Sequence, residues 1–161
     1  MASGDTLVSF TAAASIAPAT NSGTFDTRNG RLVLDFDPST VESTYFRGVL
    51  PSAYAGGTLD IKIHWMTAST SGNCRWEAQF ERLEAGGPDQ DSDDFQAAVA
   101  VDSAANATSG KSTLATITLT ALDSAVAGDP FRLKIKRDAA HANDTINSFD
   151  VELTDVEVKE A

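Results

Sequence analysis

Leu59-Asp60-Ile61-Lys62-Ile63-His64-Trp65-Met66 alternates between apolar and polar side chains as far as Trp65. Trp76-Glu77-Ala78-Gln79-Phe80-Glu81 and Phe131-Arg132-Leu133-Lys134-Ile135-Lys136 obey the same rule. Successive side chains of a strand point to opposite faces, so each run has one dry face and one wet face. A chain built mainly of such runs, each closed by turn residues, folds as a sandwich or barrel around a single core. The expected fold is all-β: an antiparallel β-sandwich of jelly-roll type, with an immunoglobulin-like sandwich as the alternative. Shared parity places Leu59, Ile61, Ile63, Trp65, Trp76, Phe80, Phe131, Leu133, Ile135, Val151 and Leu153 in that core.

Outward from these runs the chain reads as eight or nine strands. Thr6 to Phe10, Leu32 to Phe36, Thr44 to Leu50, Cys74 to Leu83, Ser112 to Thr120 and Phe149 to Val158 join the runs already quoted. In the last of these the apolar parity shifts near Asp155, which predicts a β-bulge there. Phe95 to Val101 is ambiguous, because its alanines favour helix and its valines strand. Leu122 to Val126 reads as one turn of helix. Thr11 to Gly23 is rich in Ala, Ser and Thr and contains Pro18, so it reads as an arm or loop. The expected division is therefore an N-terminal strand and arm over residues 1–23 and one sandwich domain over 24–161. The arm carries Leu7, Val8, Phe10 and Ile16 among small residues that cannot fix its shape. These four are the candidate partner-binding residues, ordered when a partner is wrapped.

At 161 residues the chain suffices for one domain with a full core. A net charge of −11 repels phosphate backbones, so nucleic acid is not an expected partner. No run approaches the roughly 20 apolar residues that span a bilayer, and Met1 to Asp5 shows no signal peptide, so synthesis in the cytosol is expected. A single cysteine, Cys74, rules out an internal disulfide and reads as a small buried thiol. One cysteine with two separated histidines, His64 and His141, does not make a zinc site.

The remaining candidates for chemistry read mostly as scaffold. Asp89, Asp91 and Asp93 alternate in an acidic loop, but the Gly and distal Glu of a calcium hand are missing, so a solvated charge run is expected. His141 lies among carboxylates, yet no Ser or Cys stands in a nucleophile context such as Gly-x-Ser-x-Gly. In that region Arg137 is expected to pair with a carboxylate, and Asp144 or Thr145 to cap the turn. Trp65 and Trp76 fall on dry faces and so read as core rather than as a sugar-stacking platform, leaving Tyr45 and Tyr54 as the surface aromatics. Arg132, Lys134 and Lys136 share one wet face and Glu77, Gln79 and Glu81 another, a pattern of cross-strand pairs or of a subunit contact. No catalytic constellation and no cofactor is expected.

Two stretches carry a resemblance. Gly128-Asp129-Pro130-Phe131-Arg132-Leu133-Lys134-Ile135-Lys136-Arg137-Asp138 with Asn143-Asp144-Thr145 is one. Tyr54-Ala55-Gly56-Gly57-Thr58-Leu59 leading to Ile63-His64-Trp65 and then Gly72-Asn73-Cys74-Arg75-Trp76 is the other. From about Asp5 to Glu160 the chain resembles small β-sandwich proteins encoded in tailed-phage genomes near structural genes. The resemblance implies a virion component located at the capsid surface. The first expectation is a capsid decoration (cement) protein, a homotrimer bound to the outer surface of the major capsid protein shell and stabilising the head. A tail or tail-fibre jelly-roll module for receptor binding is the second, and a carbohydrate-binding module is the alternative from another class. No catalytic or binding residues come with the resemblance.

Overall fold

The computed structural model describes residues 4–161. Ten strands run β1 Thr6–Thr11, β2 Thr24–Arg28, β3 Arg31–Phe36, β4 Glu42–Val49, β5 Leu59–Thr67, β6 Asn73–Arg82, β7 Val99–Ala104, β8 Thr113–Leu119, β9 Pro130–Arg137 and β10 Val151–Glu160. They form two antiparallel sheets. One has the order β2-β3-β10-β5-β8, and β1 pairs with β10 beyond the end of β3. The other has the order β4-β9-β6-β7. From β3 to β6, and again from β7 to β10, each connection crosses to the opposite sheet. This interleaving of β3-β10-β5-β8 with β4-β9-β6-β7 is the jelly-roll arrangement, not the immunoglobulin-like one.

Alternation builds the core as the sequence predicts. β5, β6 and β9 send Leu59, Ile61, Ile63, Trp65, Trp76, Phe80, Phe131, Leu133 and Ile135 inward, and all are buried. In β10 the register slips between Leu153 and Asp155, so Val151 and Leu153 are followed inward by Val156 and Val158. That slip is the bulge expected near Asp155. Cys74 is fully buried, and burial raises its thiol pKa well above the ordinary value.

The N-terminal segment departs from expectation. β1 is a full partner of β10, Phe10 stacks on Phe46 with ring centroids 5.2 Å apart, and Ala12 is buried. Gly48 makes room for this aromatic layer: a Cβ there would lie 3.0 Å from the Phe131 ring and 3.1 Å from Phe10. Ile16 then bridges Tyr45 and Ser22 bridges Ser43, which ties the next ten residues to the β4 edge. An arm separate from the domain is therefore replaced by a segment sewn into both sheets. The cause is pairing: strand edges on β10 and β4 satisfy its backbone groups where its side chains alone could not. The first three residues of the expected arm lie outside the described residues.

Three further stretches take their form only in the fold, and one of them corrects an expectation. β2 is a strand, joined to β3 by Asn29-Gly30 with φ of 50° and 73°, the type I′ hairpin that Asn-Gly favours. Leu122 to Val126 is no helical turn, since Asp123 and Ser124 have φ of 54° and 55° and the Ala125 N–H closes back on the Leu122 carbonyl. The ambiguous stretch resolves as β7 from Val99 onward, and Phe95 lies outside it.

Candidate functional site: the outer face of the four-stranded sheet

The outer face of β4-β9-β6 holds the cross-strand pairs read from the wet faces. Glu77 is opposite Lys136, Gln79 opposite Lys134 and Glu81 opposite Arg132. Lys136 and Glu77 pair at 2.6 Å, and the Arg132 Nε–H donates to Glu81 Oε2. The edges are extended by irregular segments. Ile16 pairs with Tyr45 on the β4 side, and the Gln96 N–H donates to the Phe80 carbonyl on the β6 side.

Over β9 these segments assemble a small stack. Tyr45 from β4 and Phe95 from the loop lie with centroids 5.5 Å apart. The Arg132 guanidinium carbon sits 5.3 Å from the Tyr45 centroid and 4.7 Å from that of Phe95. Such a cation–π contact contributes on the order of 0.5–1 kcal/mol where solvent reaches it. Hollows flank the stack: about 140 Å³ beside Arg47, Glu81 and Arg132, and about 330 Å³ beside Tyr45, Lys134 and Lys136. The hallmark of the first hollow is Glu81. Its side chain is 0% exposed although it points to the outer face, and among the described residues no group bonds its Oε1. Parity alone gives Glu81 a wet face; Arg132 pairs with it and Gln90 lies beside it around the hollow, which no alternation rule reports.

The sequence candidates distribute otherwise. Trp65 and Trp76 are core, as parity predicts. Tyr45 is half-buried on the outer face, but Tyr54 is buried at 5% exposure, with its hydroxyl donating to the Gly57 carbonyl, so it is not a surface aromatic. Of the four proposed partner-binding residues, Phe10 is in the domain's own core and Leu7 and Val8 are packed partly against it. Only Ile16, at 44% exposure, faces outward. His141 is exposed at a turn, where its Nδ1 accepts the Asn143 N–H. In the acidic loop the Asp89 carboxylate accepts the Asp91 N–H, which uses it as turn chemistry. Among the described residues no group of three or more His, Cys, Asp or Glu side chains is arranged to hold a metal ion.

A further hollow, of about 320 Å³, lies where Asp26, Asp35, Asp37, Glu42 and Asp150 converge. Burial, and then the charges of Glu152, Asp150 and Asp26, push the Asp35 carboxyl from 3.8 up to about 7. A carboxyl whose folded pKa is raised holds a proton that the unfolded chain has released. Its contribution is fully present below about pH 4 and is lost as pH rises to about 7. Asp35→Asn is thus expected to match the parent's melting temperature near pH 4 and exceed it by a growing margin up to pH 8. A margin that stays constant across that range, or narrows, would contradict the assignment.

No family model matches this chain, and no curated protein sequence matches it. Among solved structures, the chain is similar to an exo-β-1,3-galactanase from Phanerochaete chrysosporium with galactose, at TM-score 0.53 and 13% identity. That alignment covers 98% of this chain but 29% of the galactanase, so the chain spans less than a third of that enzyme. A second similarity, at TM-score 0.39 and 13% identity, is to the CBM22-1 xylan-binding domain of Xyn10C from Paenibacillus barcinonensis, covering 98% and 95% of the two chains. At that identity the likeness to the galactanase is one of fold, and the sheet orders make the chain a β-sandwich of the jelly-roll kind.

Proposed function

We propose that this chain is a non-catalytic attachment module at the surface of a tailed-phage virion, with capsid decoration as its first role. One observation supports the reading: the distinctive residues of the stretches resembling phage virion proteins are occupied in holding the sandwich together. Tyr54 and Gly57 close a loop on Glu160, whose Oε1 accepts the Ala55 N–H. Arg137 and Asp144 form a fully buried ion pair, and the Thr145 hydroxyl accepts the Asn73 N–H. A motif made of fasteners fits a protein used for its surface and its sturdiness. In this role it binds the major capsid protein as a homotrimer. Quantitative mass spectrometry and cryo-EM of purified particles of a phage carrying the sequence test this. Hundreds of copies on the head, and earlier bursting on heating once the protein is stripped, are expected. A few dozen copies at the tail would move the role to a receptor-binding module, and absence from particles would overturn the virion reading.

The second reading is a carbohydrate-binding module. The outer-face stack favours it, because Tyr45, Phe95, Arg132 and Glu81 combine flat apolar surface with convergent hydrogen-bonding groups. Binding on a glycan array by the isolated protein would select this reading.

A further inference from the structure

We propose that copies of this chain join through the β7–β8 side of the sandwich, β8 of one copy pairing with β7 of the next. This inference rests on the homotrimer of the virion reading and names its interface.

Four strands end the two sheets: β2 and β8 in one, β4 and β7 in the other. The β4 edge is occupied, since Ile16 exchanges bonds with Tyr45 and the Ser43 N–H donates to the Asn21 carbonyl. β2 is short and carries Asp26 and Arg28, the kind of charge that guards natural edges against pairing. β7 and β8 have neither protection. Among the described residues no backbone group of another segment bonds to their outer edges. Between Phe95 and Leu122, a stretch that includes both strands, the chain has only Asp102 and Lys111 of its 23 acidic and 12 basic residues. Asp102 is paired with Arg75 at 2.7 Å, and Lys111 lies in the loop before β8. The core is also less closed at β7. Val99 and Val101 point inward opposite Ala78 and Trp76 yet are only partly buried, whereas Thr44 and Phe46 at the far end of the same sheet are 1% and 0% exposed.

The hydrogen-bond phase shows which groups are free. The Ala105 N–H donates to the Gly72 carbonyl, in step with the β6–β7 register. Bonded pairs alternate along an antiparallel ladder, so Ala100, Asp102 and Ala104 turn their N–H and C=O groups outward. The Ala161 N–H donates to the Thr58 carbonyl, which sets the phase of β5 against β10 and then against β8. On that count Leu114, Thr116 and Thr118 point their backbone groups to the free edge of β8.

Charge selects the occupant. Copies with a net charge of −11 repel one another wherever their acidic surfaces meet. A basic partner gains most on those acidic surfaces and little here. A like-charged partner, another copy, meets least repulsion on the side without charge. β7 ends and β8 begins at one end of the sandwich, where the Ala105 N–H donates to Gly72 and the Gly110 N–H to Thr67. The two strands therefore run in opposite directions. A three-fold axis along them sets β8 of one copy antiparallel to β7 of the next, the sense of every pairing within the two sheets.

Sedimentation equilibrium of the full chain over a wide concentration range tests the proposal. Ala100→Pro and Leu114→Pro each remove an N–H that makes no bond within the copy, so each copy should stay folded. Each is expected to weaken association at least about tenfold, the effect of one lost hydrogen bond. Thr27→Pro, on the guarded β2 edge, should leave association unchanged. A dimer weakened by the same two variants would support the interface and correct the number of copies. Undiminished association of both folded variants would overturn the inference and leave the homotrimer standing. A chain that is monomeric at every concentration would overturn both. If Leu114→Pro then lowered occupancy on purified particles, the edge would hold a strand of another virion protein instead.

Discussion

Arg137→Met is expected to destabilise the domain by about 3–5 kcal/mol, the range seen when one partner of a buried ion pair is removed. Arg137 is fully buried at the end of β9 and uses all five of its N–H donors. Two go to Asp144, at 3.0 Å from Nε and 2.8 Å from Nη2. The others reach the carbonyls of Phe36, Phe149 and Ile146. One side chain thus ties the ends of β3 and β9 to the irregular segment leading into β10. Without it Asp144 is left buried without its counter-charge, the Arg75 N–H still donating to it, and three carbonyls lose a donor. Against a total stability of about 5–15 kcal/mol that loss brings the domain close to unfolding. Arg137→Lys should recover little, because an ammonium cannot reproduce the planar fork. Replacing both partners, as Arg137→Met with Asp144→Leu, should recover part of the loss, since no lone charge stays buried. Urea midpoints of the three variants decide this, and a single substitution costing under about 1 kcal/mol would refute the account.

Much of this architecture is written locally in the sequence. Period-two alternation identifies the inward residues of β5, β6 and β9 because both neighbours in each sheet obey the same pleat. The slip at Asp155 is visible because a bulge changes parity. The Arg137 pairing is legible because a charged residue ending an apolar-faced strand needs a partner close by in sequence. What escapes local reading is what other segments do to a strand. Thr24 to Arg28 has no alternation to speak of, and it is a strand because Asn29-Gly30 folds it onto β3, a turn signal carried by two residues. Phe10 looks like the tip of an arm until β10 offers an edge and Phe46 a ring. Glu81 has the parity of a wet-face residue, yet its side chain is 0% exposed and paired with Arg132 from the neighbouring strand. The candidate site is assembled from such long-range closures, which is why the fold is more legible than the site.

Trp76→Ala is expected to cost about 3–5 kcal/mol, as large-to-small core changes do. The ring meets Phe36 edge-on at 5.2 Å and Trp65 at 6.2 Å, and all three are fully buried. It therefore joins the two sheets, with β6 contributing Trp76, β3 Phe36 and β5 Trp65. Removing it leaves a cavity whose walls are held by hydrogen-bonded strands and cannot collapse far. The milder changes discriminate better. The Trp65 indole N–H donates to Ser103 Oγ at 3.1 Å, whereas the Trp76 indole N–H has no acceptor among the described residues. Trp65→Phe removes that bond and leaves the Ser103 hydroxyl without its donor. Trp76→Phe removes a donor that no protein group accepts, so it gives up ring volume without breaking a protein–protein bond. The Trp65→Phe variant should thus lose more stability than Trp76→Phe, by roughly the 0.5–1.5 kcal/mol of one net hydrogen bond. Equal losses would mean that ring volume governs both sites. A larger loss at Trp76 would mean that its edge contacts to Phe36 and Trp65, which join the two sheets, outweigh the indole bond.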